Sequence, residues 1–269
     1  MPDAPEPAEL LALAVETAAE AAAFLRDGRE SLGDAEGDVT TKSTPTDVVT
    51  AMDTAAEAMI VGRLLGARPG DGVLGEEGAS RVGTSGVRWV IDPIDGTVNY
   101  LYRLPCWSVS IGAEIDGEIV AGVVHDGPRD VAWTGLRGAG AYRNGVAIRC
   151  SPETDLSKAL VATGFGYAAH RRAVQGAVAA ALLPQIRDIR RNGSGALDLC
   201  SAAAGHVDVY YEQGLHPWDL AAGALIAREA GCVVGGLHGA AEGAALVIAA
   251  PPALFDAVHD LLVGLGIDG

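Results

Sequence analysis

The sequence is short of basic residues, aromatics and cysteine, and each shortage removes a class of explanation. Lysine and arginine together number 19 against 35 aspartates and glutamates, giving a formal net charge of -16. Gripping a nucleic-acid backbone takes a basic surface, so this balance argues against that class of partner. An acidic surface also repels anionic substrates, so any such substrate must be met by cations gathered locally. The four cysteines, Cys106, Cys150, Cys200 and Cys232, are scattered without C-x-x-C spacing. That pattern disfavours a structural zinc site or a compact disulfide framework and favours buried free thiols in a reducing compartment. Aromatic residues make up only 5% of the chain. No uninterrupted apolar run reaches membrane-spanning length, and the opening MPDAPEPAELL is acidic where a signal peptide would be basic. The cytoplasm follows as the expected location.

What is present is a chain of 269 residues, 49% hydrophobic, with that content resting on alanine and aliphatic side chains. The length suits one large domain or two smaller ones. The excess of arginine over lysine and the Ala/Gly bias point to a GC-rich bacterial genome.

The stretch Trp89–Tyr100, WVIDPIDGTVNY, organises the rest. Val87, Trp89, Val90 and Ile91 read as a buried strand that ends at Asp92, where Pro93 supplies no backbone N–H. Asp95, Gly96 and Thr97 follow in a turn. Two carboxylates brought together beyond a strand end repel unless a cation sits between them, and a hard divalent ion such as Mg2+ suits oxygen ligands. A β-turn with capping aspartates explains either acid alone but explains the pair poorly.

Around that stretch the spacing predicts a helix from Ala8 to about Glu30, a polar loop over Gly33–Thr46 containing Lys42, and a helix from Thr50 to about Leu65. Thr41 precedes Lys42 where a nucleotide-binding P-loop needs glycine, which excludes that motif. Thr50-x-x-Asp53 reads as a capping box, leaving Asp47 in need of another explanation. Gly75-Glu76-Glu77-Gly78, by itself, reads more readily as a solvated turn than as a ligand. Ser108–Asp116 and Glu118–Asp126 alternate around Asp116-Gly117, a hairpin signal, and the meander continues through Asp130–Gly135 and Ala141–Ile148 around Asn144-Gly145. Composition shifts near 150, which divides residues 1–150, helices and an antiparallel sheet, from residues 151–269, where strands and helices alternate in an α/β pattern. In that second half strands are predicted at Leu160–Thr163, Ile186–Ile189, His206–Tyr211 and Leu246–Ala249. The helices are Ala169–Leu183, Ala196–Ala204, Trp218–Gly231 and Pro252–Leu265. Ser194 opens one helix as an ordinary N-cap or as part of a substrate-facing turn, and Asp219 opens another, where an acid commonly complements the helix dipole.

Taken together, the ordered motifs TKSTPTDVVTAMD, GEEG, WVIDPIDGTVNY, TGFGY, RRNGSGALDLC and YYEQGLHPWDLAAGALIAREAG resemble those of the inositol monophosphatase family over almost the whole chain. The resemblance implies a layered αβαβα sandwich of the α+β class, a homodimer, and Mg2+-dependent phosphate monoester hydrolysis by direct attack of a metal-activated water. It implies two to three Mg2+ ions per site and sensitivity to lithium. Glu76, Asp92 and the Ile94 carbonyl would hold one ion, and Asp92, Asp95 and Asp219 a second. Asp47 and Thr97 would orient the attacking water, with Glu76 also a catalytic ligand. Asp95, Gly96, Thr97, Gly195, Glu212 and Asp219 would meet the substrate, and Lys42 would lie on a loop near the site. Val98, Tyr100 and Gly195 stand where this family more often has Thr, Phe and Ala.

Other phosphatase chemistries fail on the residues. Asp95-Gly96-Thr97 fits the haloacid dehalogenase pattern, but Pro93 stands at its nucleophile position, and no cysteine has the arginine that a Cys-x5-Arg enzyme requires. Within the superfamily, inositol 1-phosphate is favoured over histidinol phosphate, fructose 1,6-bisphosphate, phosphoadenosine phosphate or a broad set of polyol phosphates. A regulatory protein associated with RNA polymerase is the non-enzymatic alternative, and no motif in the chain supports that partner.

Overall fold

The computed structural model describes residues 6–31, 39–41 and 48–268. Helix α1 (Pro7–Ser31) presents Leu10, Ala14, Ala18, Ala22 and Leu25, all fully buried, at the three- and four-residue spacing of one helix face. A short antiparallel pair, β1 (Val39–Thr41) and β2 (Val48–Thr50), leads into α2 (Ala51–Ala67), which buries Ala56, Ile60 and Leu64. Strand β1 thus lies inside the segment expected to be loop.

Next come β3 (Gly72–Gly75), β4 (Ser80–Arg81), β5 (Val87–Asp95), the short helix α3 (Thr97–Leu101), and β6 (Ser108–Ile115), β7 (Glu118–Asp126), β8 (Val131–Leu136), β9 (Gly140–Arg143) and β10 (Val146–Ala147). They build an eight-stranded sheet in the order β10-β9-β8-β7-β6-β5-β3-β4, antiparallel except where β3 runs parallel to β5. The hairpins turn where expected. Asp116 and Gly117 both have positive φ, at 52° and 82°, as do Asn144 and Gly145, at 48° and 76°. Two positive-φ residues give a turn whose twist matches the strands it joins.

The second half supplies β11 (Leu160–Thr163), α4 (Ala169–Leu182), β12 (Asp188–Arg190), α5 (Gly195–Ala203), β13 (Val209–Glu212), α6 (Pro217–Glu229), β14 (Val233–Gly235), β15 (Val247–Ala250) and α7 (Pro252–Gly264). Its five strands pair in the order β12-β11-β13-β15-β14, with β11 parallel to β12 and β13, and β15 antiparallel to both neighbours. Strand β14 was not predicted.

Three buried clusters define the layers. One joins α1 and α2 to Trp89, Ile91, Val109, Ile111 and Val123 on one face of the large sheet. The second runs from Val124 and Trp133 on its other face through α5 and α6 to Ala162, Tyr210, Val247 and Ala249 of the smaller sheet. The third joins Val161, Val209, Tyr211 and Ile248 on that sheet's far face to α4 and α7. Val209 and Tyr211 face one way while Tyr210 faces the other, the two-residue alternation of a strand. The architecture is therefore the layered αβαβα sandwich, with α5 and α6 as a middle layer shared by both sheets.

A row of glycines on the large sheet receives helix α6. Gly112 pairs with Gly122, and Gly122 with Gly135, across β6, β7 and β8. A methyl added to Gly122 would lie 2.9 Å from Ala222 Cα, and one on Gly135 3.1 Å from Ile226 Cα. The first turn of the helix seated in this way carries Asp219.

Candidate active site

The predicted end of the central strand is the main correction. Strand β5 does not stop at Asp92 but continues to Asp95 through an irregularity. Asp92 pairs with Ser110 and Asp95 with Ser108, so three steps on β5 match two on β6. In a regular strand residues three apart face opposite sides, and the extra bulge residue reverses that parity. Asp92 and Asp95 therefore share the face toward α6, while Ile91 and Ile94 both enter the core beneath α1 and α2. Pro93 is tolerated because a bulge forgoes a ladder hydrogen bond that proline has no N–H to make.

Gly96 then turns the chain with φ at 96° and opens α3. A side chain there would press on Cys106 O at 3.0 Å and Gly193 O at 3.2 Å, so glycine is required both by conformation and by space. Thr97 Oγ donates to Ile94 O at 3.0 Å, which leaves the threonine oxygen's lone pairs available.

Asp219 arrives from α6, where its carboxylate also accepts from His216 N at 2.6 Å. It is thus a cap and a member of the acidic group at once. One carboxylate oxygen from each of Asp92, Asp95 and Asp219 lies within 4.8 Å of the others. Glu76 stands outside that cluster, but its charge still acts on all three. It follows β3, with Glu76 N donating to Ile91 O at 3.2 Å. Its turn is not merely solvated: Glu57 of α2 accepts from Glu77 N at 2.8 Å and Ala79 N at 2.9 Å, clamping the loop against the sheet.

Burial and mutual repulsion shape the electrostatics. Desolvation, then Glu76 and the other acids, hold the Asp92 carboxyl well above the usual range. Asp95 is raised to about 6 by burial, against the pull of its hydrogen bonds. Asp219 is raised to about 8 by burial and then by Asp95. Among the described residues no arginine, lysine or histidine forms an ion pair with Asp92, Asp95 or Asp219, and Asp92 Oδ1 is buried without a hydrogen-bond partner. An unpaired lone pair within a repelling all-oxygen cluster fits a hard divalent cation.

Asp95 is gripped from the second half of the chain. Ser194 Oγ donates to Asp95 Oδ2, Ala196 N to the same atom at 2.8 Å, and Gly195 N to Oδ1 at 3.2 Å. Ser194 also caps α5 by accepting from Leu197 N at 3.3 Å, so the cap reading holds, while the turn's amides meet Asp95 and not open space. The sequence offered Ser194 as a cap but gave no sign that it meets Asp95. Asn99 and Asp198 lie inside the motifs WVIDPIDGTVNY and RRNGSGALDLC with no role assigned to either, and Glu57 lies outside every motif. Buried acids such as Asp198 in ALDL and Glu57 in an alanine-rich helix are the signal that was available.

Glu212 stands at the end of β13, close enough to feel the charge of Asp95; Tyr210 OH donates to it at 2.8 Å and burial raises its carboxyl to about 7. Gly164 packs directly beneath it, since a methyl there would fall 2.0 Å from Glu212 Oε1. Gly195 has room for a methyl only if Tyr210 OH, 3.1 Å away, gives slightly. Lys42 and Asp47, both expected near the site, lie outside the described residues.

Residues 6–263 match the model of the inositol monophosphatase family. The chain belongs to the inositol monophosphatase family. Inositol-1-monophosphatase SuhB of Mycobacterium tuberculosis is 46% identical over 267 residues, covering 93% of this chain and 92% of that one. The solved structure of M. tuberculosis SuhB superposes with a TM-score of 0.84 at 41% identity, over 98% of this chain and 99% of that chain. Nus factor SuhB of Escherichia coli K12 is 43% identical over 195 residues, covering 72% of this chain and 73% of that protein. The inositol monophosphate-bound SaIMPase-II structure, at 27% identity, gives a TM-score of 0.77 over 94% of this chain and 92% of its own. Membership in the inositol monophosphatase family supports phosphatase activity, and the acidic triad is a place where such a member could hold metal. No helix among the described residues is long and apolar enough to cross a membrane.

Proposed function

We propose that this chain is a Mg2+-dependent phosphate monoester hydrolase whose preferred substrate is inositol 1-phosphate. The observation that carries the reading is the triad of buried Asp92 and Asp95 with half-buried Asp219, with its unpaired oxygen and no ion-paired cation among the described residues. These three, with Glu76 and the Ile94 carbonyl, would hold two to three Mg2+ ions. Such ions supply positive charge to phosphate oxygens, lower the pKa of a bound water and stabilise a departing alkoxide.

The chain's own residues do the positioning. Thr97, already anchored through its hydroxyl proton to Ile94 O, would accept from the attacking water together with Asp47. The backbone N–H groups of Gly96 and Thr97 would donate to phosphate oxygens. Asp95, Gly195, Glu212 and Asp219 would meet the hydroxyls of the alcohol, and Lys42 would face the same site. The M. tuberculosis relative's name and the inositol monophosphate bound to SaIMPase-II support this substrate over histidinol phosphate, fructose 1,6-bisphosphate and other polyol phosphates. We read the working form as a cytoplasmic homodimer.

The test is phosphate release from a panel of inositol, histidinol, sugar and nucleotide phosphates, with and without chelator. Inositol 1-phosphate should be hydrolysed fastest, chelation should abolish turnover, and added Mg2+ should restore it. Activity indifferent to chelator would reject the metal reading, and a higher rate on histidinol phosphate would reject only the substrate. A role in transcription complexes is a second reading, favoured by the Nus factor name of the E. coli relative. It gains ground if an Asp92→Asn variant loses hydrolysis yet still binds purified RNA polymerase.

A further inference from the structure

Asp198 sits in the first turn of α5, only 1% exposed, and among the described residues forms no hydrogen bond to the acidic triad or to Glu212. A buried carboxyl is costly unless something in the fold uses it. Its Oδ1 accepts from Asn192 Nδ2 at 2.6 Å. Asn192 in turn is held from the other side, because Asn99 Nδ2 donates to Asn192 O at 2.8 Å and to Cys106 O at 2.7 Å. Asn99 is 5% exposed and lies on α3, four residues beyond Asp95.

These bonds form a closed circuit. From Asp95 the chain runs through Gly96 and Thr97 to Asn99, crosses to Asn192, passes through Gly193 with φ at 93°, and returns through Ser194, Gly195 and Ala196 to the Asp95 carboxylate. Asn192 is exposed, and among the described residues it is held by the side chains of Asn99, at its backbone carbonyl, and Asp198, at its side-chain amide. The three donors that aim Asp95 follow Asn192 within four residues of chain.

We propose that Asp198 is a positioning residue for Asp95, acting through Asn192 to fix the turn whose donors hold that carboxylate in the triad. The groups that face it are Asn192, Arg191, Glu212 and Asp95. Burial raises its carboxyl to about 8, opposed first by the Asn192 bond. Asparagine matches the carboxyl in shape and keeps the oxygen that accepts from Asn192 Nδ2. The inference deepens the proposed function, because Asp95 matters for catalysis only if the triad holds cations.

Three variants test it: Asp198→Ala, Asp198→Asn and the exposed Asn192→Ala, the last leaving no buried hole. Hydrogen exchange resolved over residues 193–196 reads the turn directly. The Gly195 and Ala196 amides should exchange faster in both alanine variants and near the wild-type rate in Asp198→Asn. Titration calorimetry with Mn2+ reads the consequence, with affinity falling ~10-fold or more in the alanine variants, the usual cost of losing a support behind a metal ligand. Asparagine should rescue both readouts. Unchanged exchange in folded Asp198→Ala and Asn192→Ala, or no rescue by Asp198→Asn, overturns the proposal. A wild-type protein that binds no Mn2+ overturns the metal reading instead, and the exchange measurement still decides whether the pin exists.

Discussion

At the scale of single residues, the acidic site makes a prediction about pH. Asp92, Asp95 and Asp219 all have carboxyls raised in the folded protein, Asp95 to about 6 and Asp219 to about 8, while an unfolded aspartate titrates near ~3.9. Between those limits the folded state binds more protons than the unfolded one, so these groups make stability fall as pH rises. Their contribution is whole below about pH 4 and is lost through the range from about 6 to 8. Exposed acids with lowered carboxyls, such as Asp130 and Asp188, act with opposite sign, but only near and below their ordinary range. A divalent cation binds the deprotonated oxygens and removes their repulsion. The stabilisation given by saturating Mg2+, measured as the change in Tm against a chelated sample, should therefore grow from about pH 5.5 to about pH 8. A shift of equal size at both ends would mean that the cation is not held by these three carboxylates.

At the scale of elements, much was legible because the rules involved are local. The Asp116-Gly117 and Asn144-Gly145 turns were readable from residues that tolerate positive φ, and the ends of α1, α2, α6 and α7 fell within a few residues of their apolar periodicity. The bulge in β5 was not readable. Pro93 looks like a strand terminator, and only pairing with β6 shows that the strand resumes with its parity reversed. Strand β14 is three residues long and carries no alternation of its own, so pairing with β15 alone makes it a strand. The glycine row under α6 was equally hidden, because its members lie on three strands and become neighbours only through register. It carries a prediction. Gly122→Val forces side-chain atoms into the backbone of α6 at Ala222, and overpacking of this kind costs about 1–3 kcal/mol. The strain is relieved by moving α6 outward, which withdraws Asp219 from Asp92 and Asp95. The variant should unfold at lower denaturant concentration and also bind Mn2+ more weakly, whereas a substitution that merely destabilised the fold would leave the affinity of the folded fraction unchanged. Normal Mn2+ affinity in a destabilised Gly122→Val would show that the helix seat does not set the site.

At the scale of the whole molecule, the site and the core make the same demand. Asp92, Asp95 and Glu76 come from residues 1–150, while Asp219, the Ser194–Ala196 donors and Glu212 come from residues 151–269, so neither half contains a complete acidic centre. Family resemblance made these partners legible in the sequence, since nothing local to WVIDPIDGTVNY names Asp219 as its counterpart. The middle layer adds the energetic reason for keeping the halves together. Helices α5 and α6 bury Leu199, Ala222 and Ile226 in one cluster with Val124 and Trp133 of the large sheet and with Tyr210 and Val247 of the small one. Cutting the chain at 150 would expose one face of the large sheet in the first piece and one face of α6 in the second, and apolar surface of that kind costs about 25 cal/mol per Å² left in water. The intact protein should accordingly unfold in one transition, with far-UV circular dichroism and tryptophan fluorescence coincident along a urea titration. A ligand that binds only the folded state should then move the whole curve, so saturating Mg2+ is expected to shift both probes together. Separate pieces 1–150 and 151–269 should each lack a cooperative transition and bind Mn2+ no better than a scrambled acidic peptide. Two resolved transitions, or a Mg2+ shift confined to one probe, would instead make the halves independent folding units that meet only at the acids.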